Sequence, residues 1–146
     1  MALVFSELFD PYSHGVPKIT LRMPPEMALL TSLQAIYLGA RNNIDPMLKA
    51  SLRDLVPTQL LQLENLTDLQ FGSVDRSISS YLGNMSQLEG LFLYSGSLTG
   101  RIPSELGQCT RLTSPSIKVN SLTGQVPSEL MLLTNLEMLD LSGNTK

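Results

Sequence analysis

The sequence predicts an α/β repeat: a right-handed solenoid whose coils carry a short parallel β-sheet on the concave face and 3₁₀, short helical or extended segments on the convex face. Three observations predict it. The first is composition: of 146 residues 29 are Leu, with no Trp, eight aromatic residues and one Cys. Leu, Ile, Val and Phe together make up nearly a third of the chain, well above the level at which chains stay disordered. The second is an internal repeat, in which residues 97–112 (SLTGRIPSELGQCTRL) return 24 positions later, at 121–136, as SLTGQVPSELMLLTNL. The third is an L-x-x-L-x-L segment in each unit, whose last two apolar positions alternate with the period of a strand.

Residues 1–22 are read as an irregular lead or a partial repeat, and residues 23–146 as about five coils. The apolar triplets align as Leu33, Ile36, Leu38; Leu66, Leu69, Phe71; Leu88, Leu91, Leu93; Leu112, Pro115, Ile117; and Leu136, Leu139, Leu141. Strands are therefore expected at 35–39, 68–72, 90–94, 114–118 and 138–142, with Leu38, Phe71, Leu93, Ile117 and Leu141 in one buried column. The distance along the chain from each strand start to the next, Ala35 to Asp68, Gly90, Ser114 and Met138, requires a crossover each time and parallel pairing. The extra residues of the first gap are placed in a loop near residues 42–50.

Four coils carry an apolar-Pro step, Met23-Pro24, Val56-Pro57, Ile102-Pro103 and Val126-Pro127, and one has Ile78-Ser79 instead. Proline fixes its own φ and keeps the preceding residue extended, which kinks the chain into the crossover. One helical or 3₁₀ turn should follow, with Met27 and Leu30, Leu60 and Leu63, Leu82 and Met85, Leu106 and Cys109, and Leu130 and Leu133 turned inward together. No coil buries its leucines alone. Stacking about 4.8 Å apart makes each leucine position a continuous column, at roughly 1.5–3 kcal/mol per buried side chain. Pro115, standing where a strand leucine belongs, removes one ladder donor.

The same residues argue against catalysis and against some partners. A net charge of −3, from 13 acidic and 10 basic residues scattered singly, offers no stripe for a phosphate backbone, so nucleic acid is not an expected partner. The longest apolar run, residues 1–5, is far short of the roughly 20 that a membrane span needs, and the start does not read as a signal peptide. A lone cysteine makes no disulfide framework or multi-cysteine zinc site, and Cys109 shares the inward position of Leu63 and Leu133, so it reads as a small buried hydrophobe. His14, in a turn-like PYSHG lead, has no second histidine or suitably spaced carboxylate. Asp68 and Asp140 both face outward from strands, roughly 14 Å apart across three strand spacings, too far for a two-carboxylate mechanism. No phosphate-cradling glycine loop, serine elbow or kinase signature is present. No enzyme activity, catalytic residue, metal or cofactor is therefore assigned.

The repeat resembles the plant-type leucine-rich repeat, L-x-x-L-x-L-x-x-N-x-L-x-G-x-I-P-x-x-L-G. The match is nearly complete at residues 122–130 and 136–144, good over 88–112 and recognisable back to Met23, so it takes in most of the chain. The family's ladder asparagine is present at Asn120 and Asn144, is Gly96 in the third coil and is replaced in the first two. The resemblance implies that this side chain bonds backbone groups of the coil. It implies a non-catalytic protein- or peptide-binding module, related to receptor-like ectodomains and secreted inhibitors of cell-wall enzymes, at an extracellular or cell-surface location. The alternatives are a ligand-binding ectodomain fragment of a receptor-like kinase, which an apolar run of about 20 residues downstream in the parent gene would mark, and a degenerate, nonfunctional remnant. The paired-cysteine caps of extracellular members are absent, in keeping with a fragment or a decayed copy.

The candidate site lies among the residues pointing away from the core on the strand face. In three columns they read Ala35, Asp68, Gly90, Ser114, Met138; Tyr37, Gln70, Phe92, Ser116, Asp140; and Gly39, Gly72, Tyr94, Lys118, Ser142. Exposed aromatic anchors on a rigid sheet are what interfaces use. Contact with a protein or peptide partner is therefore expected to centre on Phe92 and Tyr94, with Tyr37, Gln70, Lys118 and Asp140 as the rim; the oligomeric state stays open. Asn65-Leu66-Thr67 and Asn84-Met85-Ser86 match the N-glycosylation acceptor pattern, which also arises by default where the repeat sets a polar pair before its first leucine.

Overall fold

The computed structural model describes residues 2–5, 26, 29–38, 58–72, 77–94 and 98–144. Four short strands, β1 (Ala2–Phe5), β2 (Ala35–Leu38), β3 (Asp68–Gly72) and β4 (Gly90–Tyr94), form one parallel sheet in chain order. Ala35 stands opposite Asp68, and Asp68 opposite Gly90, so the frame aligned from the leucines is the frame of the sheet. β1 is a strand the sequence did not place: Ala2–Phe5 pairs with Ala35–Leu38, in a segment read from sequence as an irregular lead or a partial repeat. Its four apolar residues are too few and too uniform to show a strand's alternation. The insert near residues 42–50, His14 and Met27 lie outside the described residues, as does the side chain of Leu38.

Beyond β4 the sheet continues as two single bridges, Phe92 to Ser116 and Ser116 to Asp140, where the sequence predicts full strands at 114–118 and 138–142. The interruption centres on Pro115. Ser116 donates its N–H to the Leu91 carbonyl and accepts from Leu93 N–H, both at 2.8 Å. On its other side Asp140 N–H donates to the Pro115 carbonyl (3.1 Å) and Ile117 N–H donates to the Asp140 carbonyl (2.8 Å). Successive N–H groups of a parallel strand point to opposite neighbours, so the donor that proline lacks is one directed at the fifth coil.

Among the described residues, four complete 3₁₀ turns cross the opposite side: η1 (Thr58–Gln62), η2 (Ser80–Asn84), η3 (Ser104–Gln108) and η4 (Ser128–Leu132). Pro103 and Pro127 lead into η3 and η4 with φ, ψ of −70°, 136° and −59°, 135°. Ser79 replaces the proline ahead of η2, yet it takes φ −73° and ψ 132°, and its hydroxyl accepts from Tyr81 N–H at 3.3 Å. A side-chain cap there substitutes for the ring. Bonds three residues apart close each turn, as in Leu106 N–H to the Pro103 carbonyl (3.2 Å) and Cys109 N–H to the Leu106 carbonyl (3.1 Å).

The inward pairs of all four turns are buried, and with Leu33, Leu66, Leu88, Leu112, Ile36, Leu69, Leu91, Phe71, Leu93 and Ile117 they form one core. Leu141, expected in the buried column, is only partly covered, as are Leu136 and Leu139, because no described residue stacks beyond them.

Two asparagines tie coil to coil. Asn120, 5% exposed, donates through Nδ2 to the carbonyls of Leu93 (2.8 Å) and Lys118 (3.1 Å) and accepts from Leu98 N–H at Oδ1 (3.3 Å). Asn144 repeats this, donating to the carbonyls of Ile117 and Leu141 at 2.8 Å and accepting from Leu122 N–H at 3.2 Å. Just past these contacts run β5 (Thr99–Gly100) and β6 (Ser121–Leu122), a second parallel pair that the sequence did not flag.

Glycine sets the spacing of the turns. A Cβ on Gly83 would lie 2.3 Å from the Glu105 carbonyl oxygen, and one on Gly107 would lie 2.7 Å from that of Glu129. On this close approach η2 packs against η3, and η3 against η4. Leu61 occupies the same position in η1, where a side chain forbids such contact. A groove of about 520 Å³ separates η1 from η2 there, with Leu61, Leu66 and Met85 on its floor and Glu64, Asn65, Asn84 and Gln87 along its rims.

Candidate partner-binding face

Parallel register brings the outward strand residues into rows. Tyr37, Gln70 and Phe92 stand opposite one another, and the two bridges carry the row on through Ser116 to Asp140. Gly72 faces Tyr94 in the next row, which the same register extends to Lys118. The sheet thus gathers all six predicted partner-binding residues onto one face.

Their exposure differs from expectation. Phe92, Tyr94 and Tyr37 are half-buried rather than fully wet, and Gln70, assigned to the rim, is only 7% exposed. The reason is local: Gln70 lies between Tyr37 and Phe92, whose larger side chains flank it in register. Gly90 gives Phe92 room, since a Cβ there would stand 3.0 Å from the ring and 2.4 Å from Asp68 Oδ1. Lys118 and Asp140 form the more open end, with Nζ and Oδ2 3.7 Å apart. Asp140 Oδ1 accepts from Ser142 Oγ at 2.6 Å and from its N–H at 3.1 Å. The Ser142 hydroxyl first, then its N–H, with a further contribution from Lys118, holds the Asp140 carboxyl below its ordinary range. Asp140 therefore stays ionised further into acid than an ordinary aspartate, and remains a partner for the Lys118 ammonium.

Ser116 is the small polar member of the outward column that runs from Tyr37 to Asp140. It is 7% exposed, and its Oγ is the one buried side-chain polar atom among the described residues with no hydrogen-bond partner. Composition gives no signal for such a group; only its place between Phe92 and Asp140 reveals it.

The remaining candidates resolve into structural roles. Cys109 is fully buried, its Sγ–H donates to the Leu82 carbonyl at 3.2 Å, and burial pushes its thiol up to about 11. Asp68 and Asp140 occupy different rows, and Thr67 Oγ1 reaches Asp68 Oδ2 at 2.8 Å. Asn65 Nδ2 donates to the Thr31 carbonyl of the preceding coil at 2.7 Å, whereas Asn84 stands exposed at the end of η2. Beside the sheet, Arg111 Nη2 meets Glu89 Oε1 at 2.8 Å and its Nη1 donates to Gln87 Oε1, an exposed pair of small energetic weight. Among the described residues no three potential ligands gather to hold a metal, and no helix is long and apolar enough to cross a membrane.

The chain matches no family model and no curated protein. Solved structures do match. The ectodomain of the receptor kinase SOBIR1 from Arabidopsis thaliana is 22% identical at a TM-score of 0.63, over 87% of this chain and 65% of that one. A TDR receptor structure is 30% identical at a TM-score of 0.64, over 84% of this chain and 20% of that one. The Arabidopsis HAESA ectodomain, solved with an N-terminally extended IDA peptide hormone, is 24% identical at 0.64, again over 84% of this chain and 20% of its own. The chain thus spans just under two thirds of the SOBIR1 structure's length and a fifth of the other two.

Fold and face together define a solenoid of stacked parallel coils presenting a rigid strand surface, the architecture of those ectodomains. More narrowly, the fold is that of the leucine-rich repeat ectodomains of plant receptor kinases.

Proposed function

We propose that the chain is a non-catalytic recognition module that takes a protein or peptide partner on its strand face, in an extracellular or cell-surface setting. The observation that carries this is the row from Tyr37 through Gln70 and Phe92 to Asp140, with Tyr94 and Lys118 beside it, on backbone held by neighbouring coils. Side chains on such a backbone lose little freedom on binding, so their contacts are not offset by a large ordering cost. Half-burial suits Phe92 and Tyr94 to the role, because each ring is held at its base and offers its outer half. Gln70 acts as floor between aromatic walls, and Lys118 with Asp140 supplies a polar end that fixes register. The HAESA structure, solved with a peptide hormone, supports the reading by analogy of fold. Placement within the ectodomain of a larger receptor kinase is the second reading, favoured by what the matching structures are.

The test is a titration of the folded chain against secreted proteins and peptides of its source organism, comparing wild type with the double change Phe92→Ala, Tyr94→Ala. Truncating a central aromatic anchor commonly costs roughly 2 kcal/mol or more, about a thirtyfold loss of affinity. Unchanged affinity with an intact fold would move the binding surface elsewhere.

A further inference from the structure

The two N-glycosylation patterns lie on opposite rims of the same groove, and the structure treats them differently. In Asn65-Leu66-Thr67 both polar groups are already engaged between coils. Asn65 Nδ2 donates to the Thr31 carbonyl (2.7 Å), and Thr67 Oγ1 lies 3.1 Å from the Gln34 carbonyl. Both bonds recur where no acceptor pattern exists: Asn135, followed by Leu136 and Glu137, donates to the Thr110 carbonyl at 2.9 Å, and Thr113 Oγ1 reaches the Glu89 carbonyl at 3.2 Å. Coil stacking therefore accounts for the first pattern.

It does not account for the second. Met85 turns into the core, 6% exposed, and leaves Asn84 and Ser86 outside on either side of it. Asn84 ends η2 with its amide in no hydrogen bond among the described residues. We propose that Asn84, and not Asn65, carries an N-linked oligosaccharide whose first sugars lie over the groove between η1 and η2. The co-reactant is an oligosaccharide on a lipid pyrophosphate. Asn84 Nδ2 bonds to the sugar's anomeric carbon, the bond from that carbon to the pyrophosphate oxygen breaks, the pyrophosphate leaves with the electron pair, and one amide proton is released. The sugar's apolar face would rest on the half-buried Leu61, with its hydroxyls near Glu64 and Gln87 on the rims.

The proposal rests on the extracellular setting put forward above, but its test supplies the secretory route, so failure here would leave that setting and the strand-face site standing. The full chain is translated behind a cleavable leader in the presence of endoplasmic-reticulum microsomes, and secreted from insect cells for glycopeptide mapping. One glycan, removed by peptide-N-glycosidase and located at Asn84, is expected. Asn84→Gln and Ser86→Ala should each abolish it, and Asn65→Gln should not. Amides at residues 61–66 and 84–87 should exchange more slowly in the glycosylated protein than in Asn84→Gln. A glycan at Asn65, no glycan at all, or identical exchange in the two forms would overturn the proposal.

Discussion

Val119 is the one non-glycine residue at positive φ among the described residues, at 56°, and a β-branched side chain pays for that conformation with of order 1–3 kcal/mol of strain. One coil later the same position is Gly143, at φ 72°. Val119 is 51% exposed, so trimming it removes little buried surface. Val119→Gly should stabilise the fold by about 1 kcal/mol even after glycine's larger chain entropy is counted, visible as a higher urea midpoint. A lower midpoint would refute the strain. Ser116→Ala should act in the same direction: removing a buried hydroxyl that has no partner relieves a desolvation cost of roughly 1–3 kcal/mol. If Ser116→Ala is destabilising, its Oγ has a partner after all. Cys109 bears on alkaline stability. Its folded thiol is raised to about 11 from an ordinary 9.0, so its contribution is complete below pH 9.0 and is lost as pH climbs toward 11. Denaturant midpoints should be level through neutral pH and fall above pH 9.0, and Cys109→Ala should flatten that fall. At neutral pH native Cys109 should resist alkylation until the chain unfolds.

At the scale of the element, the sheet has a weak seam and a strong tie within a few residues of each other. Pro115→Leu restores an N–H toward the fifth coil and a larger side chain to the core, and should raise stability by about 1 kcal/mol or more, read by urea unfolding. Any decrease would mean that the local backbone has settled around proline. Asn120→Ala should be the most damaging of these changes, by roughly 2–4 kcal/mol, because it strands the Leu98 N–H and the Leu93 carbonyl in a buried seam. A loss under about 0.5 kcal/mol, the low end for a single hydrogen bond, would show that the tie is dispensable. Much at this scale was legible beforehand. The leucine triplets located β2, β3 and β4, and the aligned apolar pairs located the inward faces of the turns, because both are periodic signals repeated in every coil. Single features escaped: β1 lacks a triplet, β5 and β6 are two residues each, and Ser79 mimics proline through its hydroxyl rather than its ring.

The molecule as a whole is a stack in which each coil meets only its neighbours, so stability is a sum of seams rather than a property of one centre. The candidate face was legible as a set of six residues because strand alternation decides which side chains point outward. Their depths were not, since Gln70 is covered by residues from the coils before and after its own, and that burial depends on the sizes of Tyr37 and Phe92 rather than on any local pattern. Seams also differ in mechanical character. Where Leu61 keeps η1 off η2, the coils still pair strand to strand through β2, β3 and β4, so they open like leaves of a book bound along the sheet. Bending there works against few contacts on the outer side, whereas η2, η3 and η4 move as one block. Among the described turns, a load drawn along the solenoid axis would thus deflect this seam more than those between η2, η3 and η4, next to the strands that carry Gln70 and Phe92, and would tilt the two walls of that face relative to each other.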